Sequence, residues 1–165
     1  MVAAAPESNS PAIRRYLDLL AGALVNDHYL EHEVRIDYLL RCLAAGMKPD
    51  THTLRDPARH MMKRVYTFRQ ARRAGVLRSA DAENLAVLPY TLMGRVRMNA
   101  LARALDDLDA RQVPGDLADV GVDGGGAAIY MKGFAEIHGW DDRTVWVADR
   151  FRASAEPRKA PADWS

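Results

Sequence analysis

The sequence has 165 residues, of which 48% are hydrophobic and 27% are charged, and its formal net charge at pH 7 is +1. This length corresponds to one domain with a real core, and the composition is that of a soluble globular protein. No apolar run is long enough to span a bilayer, and the N-terminus lacks the features of a secretory signal. The single cysteine, Cys42, excludes an internal disulfide. We therefore expect a cytoplasmic protein without membrane association.

The first part of the chain predicts helices. Residues 1–10 are small and polar and are expected to be disordered. Helical periodicity begins at Pro11, and a second helix is predicted over residues 31–45. Its predicted inner residues are Val34, Tyr38, Leu39 and Leu43.

A third helix is predicted from Asp56, which precedes Pro57 as an N-cap precedes a proline at the first helical position. It would end at Gly75, with Met61, Val65, Phe68 and Ala71 on one face and arginines on the other. The next helix should begin near Pro89 and reach about Leu108.

Strand character appears only after this helix. Residues 117–122 (LADVGV) and 144–149 (TVWVAD) read as strands, and residues 127–139 between them read as a helix. The predicted fold class is therefore mostly α with a partial α/β unit. A helical region at 11–110 precedes a βαβ unit at 111–151, and residues 152–165 form a flexible tail rich in Ala, Pro and charge.

Residues 52–79 form a basic segment within the helical region. They contain eight Arg or Lys and one acid, so the segment carries +7 and the rest of the chain sums to −6. Such a patch could attract nucleic acid, a nucleotide diphosphate or an acidic carrier protein. We favour a solvated helix face, because no base-reading motif or aromatic array accompanies the patch.

The turn after the first strand carries the clearest functional signal. The turn contains four glycines, Gly121, Gly124, Gly125 and Gly126. Their lack of side chains allows the backbone to approach a ligand, and the N-terminus of the following helix points N–H groups toward the same place. Asp119 lies at the end of the first strand, and Asp149 at the end of the second could bind two ribose hydroxyls. An acid beside the loop repels a pyrophosphate and suits an amino group. These features favour S-adenosylmethionine over a dinucleotide.

The run VPGDLADVGVDGGGAAIYMKGFAEIHGWDDRTVWVADRF closely resembles the macrocin O-methyltransferase family, antibiotic-sugar methyltransferases with a Rossmann-like domain. The segments LPYTLMGRVRMNALARAL and YLDLLAGALVND resemble the helices that precede this domain. The resemblance implies a Rossmann-like, S-adenosylmethionine-dependent O-methyltransferase of natural-product biosynthesis, acting on a sugar or polyketide-type hydroxyl. The cofactor-binding residues that we assign are Asp119, Gly121, Asp123, Gly125, Asp149 and Arg150.

The sequence departs from the family pattern at four positions. The family usually has glutamate at Asp119, arginine at Gly124, serine at Arg150 and histidine at Tyr90. The first change is conservative, whereas those at Gly124 and Arg150 alter the charge of the loop and the ribose edge. The basic segment matches nothing in the better-known members.

The resemblance also implies that this sequence lacks the catalytic part of the family's fold. The family's metal-binding acids and its proton acceptor lie on later strands, so no catalytic residue is assigned here and no divalent metal is supported by the residues present. We expect a shortened chain that needs a second subunit, as a homo-oligomer or with another chain. A fragment of a longer enzyme, or a repurposed interaction or cyclisation protein, remains an alternative.

The segment HYLEH at His28–His32 fits the H-x-x-E-H spacing of inverted zinc peptidases. A third ligand would be needed, and neither Glu83 nor Glu136 sits in a recognisable motif. We interpret the match as chance on a solvated helix face, and His138 as a surface or capping residue.

Overall fold

The structure is a computed structural model that describes residues 10–74, 90–91, 93–122 and 124–151. Residues 1–9 and 152–165 of the two predicted tails lie outside the described residues, as do the predicted helix end at Gly75 and residues 75–79 of the basic segment.

Within the described ranges the chain forms seven α-helices and two strands. The helices are α1 (Pro11–Leu24), α2 (Leu30–Ala44), α3 (Thr51–Arg55), α4 (Pro57–His60), α5 (Met62–Ala74), α6 (Arg95–Ala110) and α7 (Gly126–Ile137). The strands are β1 (Leu117–Val120) and β2 (Val145–Ala148). A 3-10 turn at Asp27–Tyr29 joins α1 to α2. No helix in this part of the chain is both long and apolar enough to cross a membrane.

The main core lies between α1, α6 and α7. Helix α1 begins at Pro11 because the side chain of Ser10 accepts a hydrogen bond from the Ile13 N–H, which satisfies one free donor of the first turn. Its apolar residues recur at three- and four-residue spacing and therefore face one side. That side packs against Met98 and Phe134, both fully buried. The shared core fixes α7 against the helical region.

The two strands form one parallel sheet, in which Leu117 lies opposite Val145 and Val120 opposite Ala148. Helix α7 connects them, so the described chain is mostly helical and contains one βαβ unit. This confirms the predicted combination of helices and a small α/β unit.

Asp116 ties the beginnings of the two strands together. Its carboxylate accepts hydrogen bonds from the Thr144 N–H at 3.0 Å and from the Trp146 indole N–H at 2.7 Å. These two bonds favour the charged form and hold the pKa of Asp116 below its ordinary value of 3.8. The stabilisation is therefore present above that value and is lost as the pH falls through the lowered pKa.

A second, smaller core joins α2 to α5 through Leu30, Val34, Val65 and Phe68. A buried acid lies beside it. The Asp37 carboxylate, 2% exposed, accepts hydrogen bonds from Arg64 at 3.0 and 3.1 Å and from Arg41 at 3.0 Å. Because a buried carboxylate needs a counterion, this cluster fixes how α5 lies on α2.

The predicted inner face of α2 is partly wrong. Val34 is buried, but Leu39 and Leu43 are 42% and 74% exposed. The helix turns Glu33 and Asp37 inward instead, and each finds a polar partner, Asn26 for Glu33 and the two arginines for Asp37. Apolar periodicity alone does not reveal a helix face that contains paired acids.

Two other boundaries differ from the prediction. Helix α6 begins at Arg95 rather than near Pro89, because the backbone of Tyr90 bonds to α1 and α7 instead of to its own helix. The helix expected from Asp56 is interrupted at Met61, and α3 precedes it with Asp50 as its N-cap. Asp56 does cap α4, accepting a hydrogen bond from the Arg59 N–H at 3.0 Å.

Substitution Asp37→Asn should lower the free energy of unfolding by about 3 kcal/mol, since it leaves the largely buried Arg64 cation without its counterion. Urea denaturation measures this loss. The matched control is Asp107→Asn, which removes an exposed pair with Arg111 and should change stability by less than about 0.5 kcal/mol. Equal losses in the two variants would contradict the assigned role of Asp37.

Candidate cofactor site at the glycine loop

The turn after β1 needs glycine at two positions for backbone reasons. Gly121 and Gly125 both have φ +82°, a conformation that other residues rarely adopt. The Gly121 N–H extends the sheet by donating to the Ala148 carbonyl at 2.8 Å, and the Gly125 N–H donates to the Val122 carbonyl at 2.8 Å. Among the described residues, no atom other than those of Gly121 and its two chain neighbours lies within 4 Å of the place where a Gly121 side chain would begin. The loop is therefore open at Gly121.

The other two loop glycines are needed because protein backbone approaches them. Tyr90 donates its N–H to the Leu24 carbonyl at 3.0 Å and accepts the Gly126 N–H on its own carbonyl at 2.9 Å. A Cβ on Gly124 would lie 2.7 Å from the Tyr90 carbonyl oxygen, and one on Gly126 would lie 2.4 Å from the Thr91 Cβ. At Gly124 and Gly126 the Tyr90–Thr91 segment thus requires glycine for packing, and the prediction that these glycines admit a ligand stays a prediction.

The N-terminus of α7 already uses part of its donor capacity. The Gly126 N–H is bound by Tyr90, and the Ala128 N–H donates to the half-buried Asp119 carboxylate at 3.1 Å. A phosphate at a helix N-terminus needs such N–H groups free. The loop is consequently less suited to a pyrophosphate than its glycine content suggests.

Asp149 lies exposed just beyond β2. One of its carboxylate oxygens accepts the Val122 N–H at 3.0 Å, and the other accepts the Phe151 N–H at 3.3 Å. Asp149 therefore ties the loop after β1 to the end of β2. A carboxylate oxygen can accept more than one hydrogen bond, so these two bonds are compatible with a ligand hydroxyl at Asp149.

An open depression of about 510 Å³ lies at the carboxyl ends of the two strands. Gly121, Asp149 and Arg150 line it, so the structure brings these three predicted site residues together. Asp119, which lies in β1, and Gly125, which lies in the neighbouring turn, do not line it, and Asp123 lies outside the described residues. Ligands of open α/β sheets bind at this edge.

A cavity of about 620 Å³ between α1, α6 and α7 contains a second set of titratable groups. Burial, aided by the Asp106 charge, raises the pKa of Tyr130 to about 12, so its hydroxyl stays neutral at neutral pH. Asp109 accepts a hydrogen bond from the Trp140 indole at 3.0 Å and lies 3.2 Å from the His138 Nδ1.

The same contacts correct one half of the prediction for His138. Its side chain is 3% exposed and stacks on Phe134 with ring centroids 3.9 Å apart, so it is not a surface residue. The other half is confirmed, because His138 is the C-cap residue of α7. We interpret the contacts among Asp109, His138 and Trp140 as a link between α6 and the end of α7.

The histidine motif is divided between two elements. His28 lies in the 3-10 turn with its Nε2 3.1 Å from the Leu19 carbonyl, whereas His32 lies on α2 beside Arg35. The described residues contain no group of three or more His, Cys, Asp or Glu side chains that could hold a metal ion.

The family profile described as macrocin-O-methyltransferase (TylF) matches residues 13–164. The chain belongs to this family. The resemblance drawn from the glycine loop and its flanking strands is thereby confirmed.

Three O-methyltransferases match parts of this chain. Demethyldecarbamoylnovobiocin O-methyltransferase of Streptomyces niveus is 43% identical over 38% of the chain and 24% of the relative. Mycinamicin III 3''-O-methyltransferase of Micromonospora griseorubida is 37% identical over 44% of the chain and 28% of the relative. The 8-demethyl-8-(2,3-dimethoxy-alpha-L-rhamnosyl)-tetracenomycin-C 4'-O-methyltransferase of Streptomyces olivaceus is 39% identical over 41% of the chain and 26% of the relative.

These matches span about a quarter of each relative's length. No solved structure matches the chain significantly.

Substitution Gly126→Ala should lower the free energy of unfolding by about 2 kcal/mol, because the added methyl group meets Thr91 and the Tyr90 backbone, which cannot move aside easily. Thermal or urea denaturation measures the change. Gly133→Ala on the same helix is the control: its Cβ would lie 2.6 Å from the flexible end of Leu20. If this control loses as much stability as Gly126→Ala, the Tyr90 contact is not what requires glycine at position 126.

Proposed function

We propose that this chain binds S-adenosylmethionine at the glycine loop and takes part in the O-methylation of a small-molecule hydroxyl, on a sugar or a polyketide-type product. The relatives' names specify O-methylation, and one of them names a rhamnosyl compound. The buried lone cysteine, Cys42, fits the cytoplasmic location that we propose for this reaction.

One observation carries the choice of cofactor. Two N–H groups in the first turn of α7 are bound by Tyr90 and Asp119, while Gly121 is open and Asp149 is exposed. This arrangement leaves fewer N–H groups for a pyrophosphate and offers carboxylates beside them. S-adenosylmethionine carries an ammonium group and a ribose diol and has no phosphate, so it suits this edge of the sheet.

The proposed contacts follow from these positions. Asp149 would accept hydrogen bonds from the two ribose hydroxyls, with Arg150 beside it, and Gly121 would lie against the cofactor without a side chain to obstruct it. Asp119 would face the ammonium group from β1, close to the first turn of α7, where it accepts the Ala128 N–H. When bound, the cofactor would supply an electrophilic methyl group on a sulfonium.

Transfer forms a carbon–oxygen bond to the acceptor and breaks the methyl carbon–sulfur bond, whose electron pair stays on sulfur. The acceptor's hydroxyl proton must pass to a base. We assign this base to no described residue, because the carboxylate that lines the depression, Asp149, is the group that we assign to the ribose hydroxyls. We propose that a second subunit completes the site.

The outer edge of β2 is the surface that fits such a subunit. Leu117 donates to the Thr144 carbonyl and Gly121 to the Ala148 carbonyl, so alternate backbone groups of β2 face β1. The backbone groups of Val145 and Val147 therefore point to the other side, where the described chain places no strand. An unpaired strand edge with apolar side chains, such as the 48%-exposed Val147, readily accepts another strand.

A non-methylating interaction or cyclisation protein is the second candidate. The contact of Tyr90 and Thr91 with Gly124 and Gly126 favours it, because half of the loop glycines serve the protein's own packing. The two candidates differ in whether the chain binds the cofactor.

Asp149→Asn should raise the dissociation constant for S-adenosylmethionine about tenfold, because the charged acceptor of the ribose hydroxyls is lost while the amide oxygen can still accept the Val122 N–H. Calorimetric titration with S-adenosylmethionine and S-adenosylhomocysteine measures the change. Asp142→Asn, an equal charge change on the exposed turn before β2, is the control and should leave affinity within about twofold. Unchanged affinity in Asp149→Asn removes this residue from the site, and absence of binding to the wild-type chain favours the second candidate.

Val147→Pro should abolish association with another copy or chain, because proline removes the outward N–H and is tolerated at a sheet edge. Sedimentation velocity measures association of the wild-type chain, and circular dichroism checks that the variant keeps its helices. Val147→Thr retains the N–H and should still associate. A strictly monomeric wild-type chain that binds the cofactor would contradict the need for a second subunit.

A further inference from the structure

A groove of about 590 Å³ lies between the N-terminal half of α2 and the C-terminal half of α5. Leu30 and Val65, which are 8% and 6% exposed, form an apolar floor. Arg69 and Arg73 of α5 line the groove opposite Glu31 and Arg35 of α2. The groove thus combines a hydrophobic base with a charged rim.

The acids of this groove are already paired with other cations. Glu31 lies 3.6 Å from Arg35, and Asp27 lies 3.9 Å from Arg95. Arg35 is held further by the Leu54 carbonyl, which accepts its Nε–H at 2.8 Å. Each acid of the groove therefore has a cation beside it other than Arg69 and Arg73.

Arg69 and Arg73 have no partner in the part of the chain that the structure describes. Both are exposed, and neither makes an ion pair or a side-chain hydrogen bond there. Arg64 on the same helix, in contrast, is paired with Asp37. Like charges four residues apart on a helix repel each other, so this pair destabilises α5 slightly until an anion lies between them.

We propose that this groove binds a small ligand with two anionic groups, phosphates or carboxylates, whose apolar part rests on Leu30 and Val65. Two guanidinium groups on one helix face can each donate two hydrogen bonds to such groups. A single groove of this volume fits a small molecule, whereas a nucleic acid would need cationic contacts along an extended path. His28, His32 and Arg35 also line the groove and add further nitrogen-bearing side chains.

The test uses pyrophosphate and malonate as probes at constant ionic strength. Calorimetric titration should show binding of at least one probe to the wild-type chain, and Arg69→Gln/Arg73→Gln should weaken it about tenfold or more. Binding of pyrophosphate alone identifies a diphosphate ligand, and binding of malonate alone identifies a dicarboxylate. Circular dichroism should show an unchanged helix content, because both arginines are exposed.

The matched control is Arg59→Gln/Lys63→Gln, which removes the same charge from exposed positions that do not line the groove. It should change the affinity less than about twofold. Equal weakening in both double variants would show general electrostatic attraction and overturn the proposal. Absence of binding of either probe to the wild-type chain would overturn it as well.

Discussion

The backbone of Tyr90 is the contact on which the arrangement of this molecule depends. Its N–H bonds to the end of α1 and its carbonyl to the first residue of α7, so one peptide segment joins the helical region to the glycine loop. The contact leaves no space for side chains at Gly124 and Gly126. It also holds the first residue of α7 against Tyr90. The depression at the carboxyl ends of the two strands, at Gly121 and Asp149, stays open. The position of the proposed cofactor site is a consequence of this packing.

Charge pairing organises the other half of the helical region. Asp37 is almost completely buried and is compensated by Arg64 and Arg41, which fixes α5 on α2. A buried carboxylate without these arginines would be strongly unfavourable. Arg69 and Arg73 differ from Arg64 because they form no ion pair with an acid in the described chain. The basic segment was interpreted as a solvated helix face. Arg69 and Arg73 are exposed, as that interpretation expects, whereas Arg64 is largely buried and paired with Asp37.

Much of the fold was predictable because it depends on local signals. The start of α1 at Pro11, the cap at Asp56 and the β1–α7–β2 order follow from capping, periodicity and glycine content. The inner face of α2 was not predictable in this way, because its buried acids have partners far along the chain. The start of α6 was missed for a similar reason: Tyr90 bonds to residues 66 and 36 positions away, Leu24 and Gly126, and no local pattern marks those bonds.

The sequence by itself determined the family, the helical content, the βαβ unit and the presence of Asp149 at the end of its second strand. These follow from short-range patterns and from a motif of contiguous residues. Only the tertiary structure decided which glycines are open and which N–H groups of α7 are already bound. It also decided which arginines have acidic partners. Each of these depends on the distance between residues remote in the chain, and the composition of a segment does not contain that distance.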